Sequence, residues 1–196
     1  AAIALLSHPY IVPIYESGEA DDGTLFYTME LVDGEPLDRF VNNRQMATEG
    51  VLELFGKVCE GVHAAHQRGV IHRDLKPSNV LVDARGNPRL LDFGLAKLSV
   101  DGGEELAELS RTGCVMGSLP YMAPEQTLGD SSEIDTRTDV YALGVILFKL
   151  LIGEFPYDVS GNQFGVAHRI RFEEPKRPRT ASSRISIDLE AIMLKA

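Results

Sequence analysis

Basic residues are scarce in this sequence. It carries 19 lysines and arginines against 29 acids, a formal charge of −10 over 196 residues. That balance excludes a nucleic-acid surface, which needs a basic face to neutralise phosphates. Long apolar runs are missing too. The longest, 140–152, is interrupted by Lys149 and falls short of the roughly 20 residues a membrane span requires. A basic start with a following cleavage site is also lacking, so no secretory leader is expected. Cysteine is rare: Cys59 and Cys114 form no Cys-x-x-Cys pair, which points to a reducing, cytoplasmic setting. His63 and His66 lie about one helical turn apart with His72 nearby, which alone makes a weak metal signal. Internal repeats and low-complexity tracts are absent. What remains is an ordinary globular composition, 44% hydrophobic, in a chain long enough for one sizeable core.

The local pattern mixes strands and helices. The first residues read as the end of a helix broken at His8-Pro9, because the residue before proline leaves the helical region. Segments 11–16 and 24–32 read as strands across an Asp21-Asp22-Gly23 turn, followed by an Asp33-Gly34-Glu35-Pro36 loop. A helix is expected from Thr48, with Leu54, Val58, Val62 and Ala65 at helical spacing and Gly69 as its stop. Residues 80–82 and 89–91 read as a short hairpin. Segment 95–122 shows little periodicity beyond a weak turn at 104–109. A loop of that length inside a compact domain is usually functional. Segment 140–152 is apolar all round and reads as a buried helix ended by Gly153. The following stretch is polar and proline-rich, and a last helix opens at Ile187, Leu189, Ile192 and Met193.

Chemistry concentrates in His72-Arg73-Asp74-Leu75-Lys76-Pro77-Ser78-Asn79, between a helix end and a hairpin. Asp74 can accept a hydroxyl proton, Lys76 can neutralise a phosphate, and the Asn79 amide oxygen can bind a hard cation. Thirteen residues after Asn79 comes Asp92-Phe93-Gly94. Asp92 is a second candidate cation ligand, and Gly94 permits a sharp backbone turn. After the long loop stands Ala123-Pro124-Glu125.

These three segments, in this order and spacing, resemble the signature set of protein kinases. Gly69-Val70-Ile71-His72 and Tyr121-Met122-Ala123-Pro124-Glu125-Gln126 resemble the bacterial kinases of the eukaryotic-like serine/threonine type. The resemblance covers the whole chain. It implies an α+β, protein-kinase-like fold: residues 1–32 as a remnant of the N-lobe and 33–196 as the mostly helical C-lobe. It implies transfer of phosphate from ATP, with Mg2+, to serine or threonine hydroxyls of protein substrates. Asp74 resembles the catalytic base, Lys76 the lysine that steadies the γ-phosphate, and Asn79 and Asp92 the magnesium ligands. Lys76 and Gly117-Ser118 favour a hydroxyl-amino-acid substrate. Ser118 stands where the family usually has threonine and keeps the hydroxyl.

The resemblance further makes Met29 the gatekeeper before an adenine hinge. Backbone groups of Glu30 and Val32 would bond adenine, and Leu81 would lie beneath it. Glu35 is either a ribose contact or a solvated loop acid. Phe93, His72, Ile14 and Ile3 resemble the apolar column linking the lobes. Asp139 resembles the acid that ties down the catalytic-loop backbone, a role compatible with an N-cap. Arg73 resembles the arginine that binds a phosphate on the activation loop. Thr112 is the first candidate for that phosphate and Ser110 the second, while both also read as solvated loop residues. Ser118 is a poor switch because the catalytic loop engages it.

The sequence departs from the family at both ends. It has no Gly-rich loop and no lysine before Lys57, and the helix glutamate is expected just before Ala1. The arginine that pairs with a glutamate matching Glu125 is not reached. A piece of a longer kinase, inactive alone, and a short pseudokinase acting as a binding scaffold both fit these gaps. The intact catalytic loop favours the first.

Overall fold

The computed structural model describes residues 6–93, 115–128 and 133–196, without the side chains of residues 25, 115 and 116. It is an α+β protein of small antiparallel sheets and helices. Two compact units emerge, one from Ala1–His72 with Pro77–Phe93, the other from Arg73–Lys76 with Gly94–Ala196.

In the first unit, β1 (Ile14–Glu19) and β2 (Leu25–Met29) pair antiparallel, from Ile14 opposite Met29 to Glu19 opposite Leu25. The hairpin sits later in the chain than its apolar pattern suggests, because the turn is closed by Ala20 N–H to the Thr24 carbonyl at 2.8 Å. The Asp22 carboxylate also accepts the Thr24 N–H at 2.9 Å. Ile11 leaves the hairpin and bridges Leu90 in parallel, buried at 3% exposure. Gly34–Pro36, expected as loop, is the strand β3, since it finds a partner in β4 (Val80–Asp83). A Cβ at Gly34 would stand 2.9 Å from the Val82 carbonyl oxygen, so only glycine allows this pairing. β4 continues into β5 (Pro88–Leu90) through a turn in which the Asp83 carboxylate accepts the N–H groups of Arg85 and Asn87.

Two helices pack in this unit. The short α1 (Leu37–Asn43) buries Leu37, Phe40 and Val41. Those positions form one helical face, each side chain contributing about 1.5–3 kcal/mol of burial. The long α2 (Thr48–His66) buries Val51, Leu54, Phe55, Val58, Val62 and Ala65. Ala47 occupies its N-cap, with no side-chain cap. A Cβ at Gly61 would approach Leu90 Cδ1 to 2.5 Å. The missing side chain is what lets α2 lie close on β5.

The second unit begins, after Lys76, with α3 (Val115–Ser118) and two 3-10 turns, Leu119–Tyr121 and Pro124–Leu128. Its centre is α4 (Thr136–Ile152). Asp135 caps this helix, its carboxylate accepting the Arg137 N–H at 2.6 Å. Gly153 closes it in the left-handed region at φ 85°, the usual glycine role at a helix end. The helix is less enclosed than its apolar sequence implies: Ala142, Leu143 and the run Val145–Phe148 are buried, but Val140 is exposed. Then follow α5 (Gln163–Phe172), α6 (Pro178–Ala181) and α7 (Ile187–Lys195). Val166 and Ile170 of α5 bury against Leu119. Gly144 of α4 faces the end of α7, where a Cβ would meet Ala196 Cβ at 2.7 Å.

Candidate active site

The second unit holds Arg73, Asp74, Lys76 and Ser118. Arg73 is pinned through its backbone on both sides. Its N–H donates to Asp139 Oδ1 at 2.9 Å, and its carbonyl accepts Gln126 Nε2 at 2.7 Å. These bonds hold Arg73 at φ 68°, a conformation uncommon for a non-glycine residue. Asp139 is 1% exposed and lies in the first turn of α4. It is not the N-cap, a place Asp135 takes, so its carboxylate is left to anchor the loop.

The next residues converge on one ammonium. Lys76 Nζ donates to Asp74 Oδ2 at 2.8 Å and to Ser118 Oγ at 2.7 Å. The Ser118 hydroxyl is buried, so it gives the lysine a fixed acceptor. Asp74, Ser118, Tyr121, Met122 and Gln126 line a small recess. Below it, Thr138 Oγ1 donates to Glu125 Oε1 at 2.5 Å, which occupies the Glu125 carboxylate inside the unit. Gln126 also accepts the Ala123 N–H at 3.0 Å. Thr138 carried no sequence signal, and Gln126 entered only as the last residue of the run that begins at Tyr121. The only available signal was the position of Gln126 directly after Ala123-Pro124-Glu125.

Asn79, Asp92 and the hinge residues belong to the first unit. Asn79 closes a 3-10 turn, Pro77–Asn79, and is buried. Its carbonyl accepts the Leu91 N–H at 2.9 Å, and the Leu91 carbonyl bonds His72 Nε2 at 2.8 Å. His72 and Phe93 pack with ring centroids 4.7 Å apart. Asp92 thus sits between two held neighbours, at φ 52°. Tyr27 Oη donates to Asp92 Oδ1 at 2.7 Å. Burial pushes the Tyr27 phenol up to about 12, and the Asp92 carboxylate adds in the same direction, so it remains a donor at neutral pH. Strand alternation puts Tyr27 on the same face of β2 as Met29, a signal that was overlooked.

Met29 ends β2 opposite Ile14. The Glu30 N–H is spent on the Pro13 carbonyl at 3.2 Å, and its carboxylate receives the Arg89 guanidinium. Val32 and Leu81 are half-buried, Leu81 within β4. The Glu35 carboxylate is held on α1 by Asn43 and by Arg44 at 2.8 Å. That pairing ties β3 to the end of α1. Ile3, Ser110, Thr112, Gly94 and the turn at 104–109 lie outside the described residues.

The Asn79 amide and the Asp92 carboxylate carry hard oxygens, the donor type that suits Mg2+. Among the described residues no group of three or more His, Cys, Asp or Glu could hold a metal. Two protein ligands with phosphate oxygens supplying the rest is the normal way Mg2+ binds. Among the described residues no helix is long and apolar enough to cross a membrane.

The protein kinase domain family matches residues 1–193. The serine/threonine-protein kinase PknB of Mycobacterium leprae is 38% identical over 98% of this chain. The serine/threonine-protein kinases pkn3 and Pkn1 of Myxococcus xanthus are 39% and 38% identical over 100% of it. The chain spans 30%, 36% and 27% of these three relatives, respectively.

Proposed function

The chain belongs to the protein kinase domain family, and from that premise we propose that its protein transfers the γ-phosphate of ATP to serine and threonine hydroxyls of other proteins. The observation that carries this reading is the Lys76 ammonium bonded to both Asp74 and Ser118. It joins a carboxylate able to take a proton to a cation able to meet a phosphate. In the reaction, the Asp74 carboxylate accepts the proton of the substrate hydroxyl as that oxygen bonds the γ-phosphorus. The bond from that phosphorus to the β-phosphate oxygen breaks, and ADP leaves with the electron pair. Lys76 offsets charge on the transferring group. Asn79 and Asp92 would hold the Mg2+, which when bound neutralises phosphate charge.

Adenine would be read by backbone at the hinge after Met29, with Leu81 beneath it. The Glu35 pairing with Arg44 makes a ribose contact conditional on that pair opening. The chain has no lysine before Lys57, and it spans about a third of its relatives, so we place the activity in the full-length protein and not in these residues alone. The free Cys59 thiol and the demand for ATP support a cytoplasmic setting. Phosphorylation of Thr112 or Ser110 would engage Arg73, and a Ser110→Ala, Thr112→Ala double variant should then lose any activation gained by preincubation with Mg-ATP. No observation favours the scaffold reading.

The test is incubation of the full-length protein with γ-labelled ATP, Mg2+ and a generic protein substrate, followed by phosphoamino-acid analysis. Label is expected on serine and threonine, and Asp74→Ala should lower its rate by roughly 10²- to 10⁴-fold. Label on tyrosine alone, or none, refutes the assignment.

A further inference from the structure

We propose that Tyr27 is a positioning residue for Asp92: its phenol fixes one carboxylate oxygen so that the other is presented to the divalent cation of the nucleotide. The inference rests on the reading of Asp92 as a cation ligand.

The argument starts from what holds Asp92. Its backbone is in the left-handed region at φ 52°, which costs free energy for a residue with a side chain. The neighbours supply the restraint: Leu91 bonds Asn79 and His72, and Phe93 packs on His72. None of these contacts sets the direction of the Asp92 carboxylate. The bond from Tyr27 Oη does, at 2.7 Å and from a residue 65 positions away in the chain. A carboxylate has about four lone-pair sites, so one hydrogen bond to Oδ1 leaves Oδ2 for a cation. Ligating carboxylates commonly carry such an outer hydrogen bond, which fixes their orientation.

The donor type matters as well. A lysine or arginine here would orient the carboxylate but place positive charge beside a site meant for a divalent cation. A phenol donates without charge. Tyr27 is held on a paired strand, opposite Ser17, so its position does not depend on the nucleotide.

The experiment uses the full-length protein with a non-hydrolysable ATP analogue and Mn2+ as an electron-paramagnetic probe. Tyr27→Phe keeps the ring and loses only the donor. Its Mn2+ dissociation constant should rise about 10- to 100-fold, while affinity for the metal-free nucleotide stays constant. In turnover, the KM for magnesium should rise by more than kcat at saturating magnesium falls. A merely structural ring would shift neither metal quantity. Equal Mn2+ affinity in wild type and Tyr27→Phe overturns the inference alone. Wild-type protein that binds no Mn2+ with the nucleotide overturns the reading of Asp92, and the inference with it.

Discussion

Asp139 accepts the backbone N–H of Arg73 at 2.9 Å while itself only 1% exposed. The bond ties α4 to the residue preceding Asp74, so the position of the candidate base depends on a helix 66 residues downstream. Hydrogen bonds to a charged group are worth about 1.5–3 kcal/mol, and a buried donor left unmatched adds its own cost. Asp139→Ala should destabilise the protein by about 2–3 kcal/mol, read as a lower urea midpoint. Asp139→Asn should lose less, because its amide oxygen can still accept. Equal midpoints for Asp139→Ala and wild type would contradict this.

Ser118 offers a cleaner probe of the loop, since its hydroxyl is an acceptor for Lys76 at 2.7 Å. Threonine supplies the same oxygen, so Ser118→Thr should retain activity. Ser118→Ala removes the acceptor and leaves the ammonium without its Ser118 anchor. A loss of about 1–1.5 kcal/mol in positioning corresponds to roughly a tenfold lower kcat/KM. Steady-state assays of the two variants decide it, and equal rates would mean that the hydroxyl orients nothing.

The chemistry of this site was legible because it is local. Asp74, Lys76 and Asn79 stand close together in one short segment, and Asp92 follows a short hairpin. The helices α2, α4 and α7 were legible from apolar spacing. What escaped notice depends on contacts distant in sequence. α1 is only seven residues long and starts after Pro36 with no side-chain cap, so its Leu37, Phe40 and Val41 face makes a weak pattern. α5 was hidden in a polar, proline-rich stretch, although Asn162 caps it through the Gly165 N–H. β3 exists because Gly34 can approach Val82, and no periodicity encodes that. Tyr27 and Asp92 meet across 65 residues. Only the tertiary fold reveals such a pair.

The two acids assigned different roles should separate experimentally. On the proposed reading Asp74 meets the nucleophile and not the nucleotide, so Asp74→Ala should leave the dissociation constant for Mg-ATP within about twofold while turnover collapses. Asp92→Ala removes a cation ligand and should weaken Mg-ATP binding as well as turnover. Calorimetry of the full-length variants measures the binding directly. A reversal, with Asp74→Ala losing affinity and Asp92→Ala keeping it, would exchange the two assignments.

Cys59 yields a prediction about pH. It lies in α2, and burial pushes its thiol up from 9.0 to about 11, with Glu60 adding a little. Nucleophilic attack needs the thiolate. At pH 8 a thiol titrating at about 11 has roughly a hundredth of the thiolate of one titrating at about 9. Peptide-resolved iodoacetamide labelling should therefore be about 100-fold slower at Cys59 in the native protein than after unfolding in urea. The sign for stability follows from the same shift. The folded state holds this proton more tightly than the unfolded chain, so the contribution of Cys59 is fully present below pH 9. It drains as the pH climbs towards 11, because the unfolded state ionises first. Cys59→Ala should flatten that alkaline loss in melts taken across pH 8 to 11, while leaving the acid limb unchanged. Rapid labelling of native Cys59 at pH 8 would show that the thiol is reached and ionised in the folded state, contrary to its place in α2.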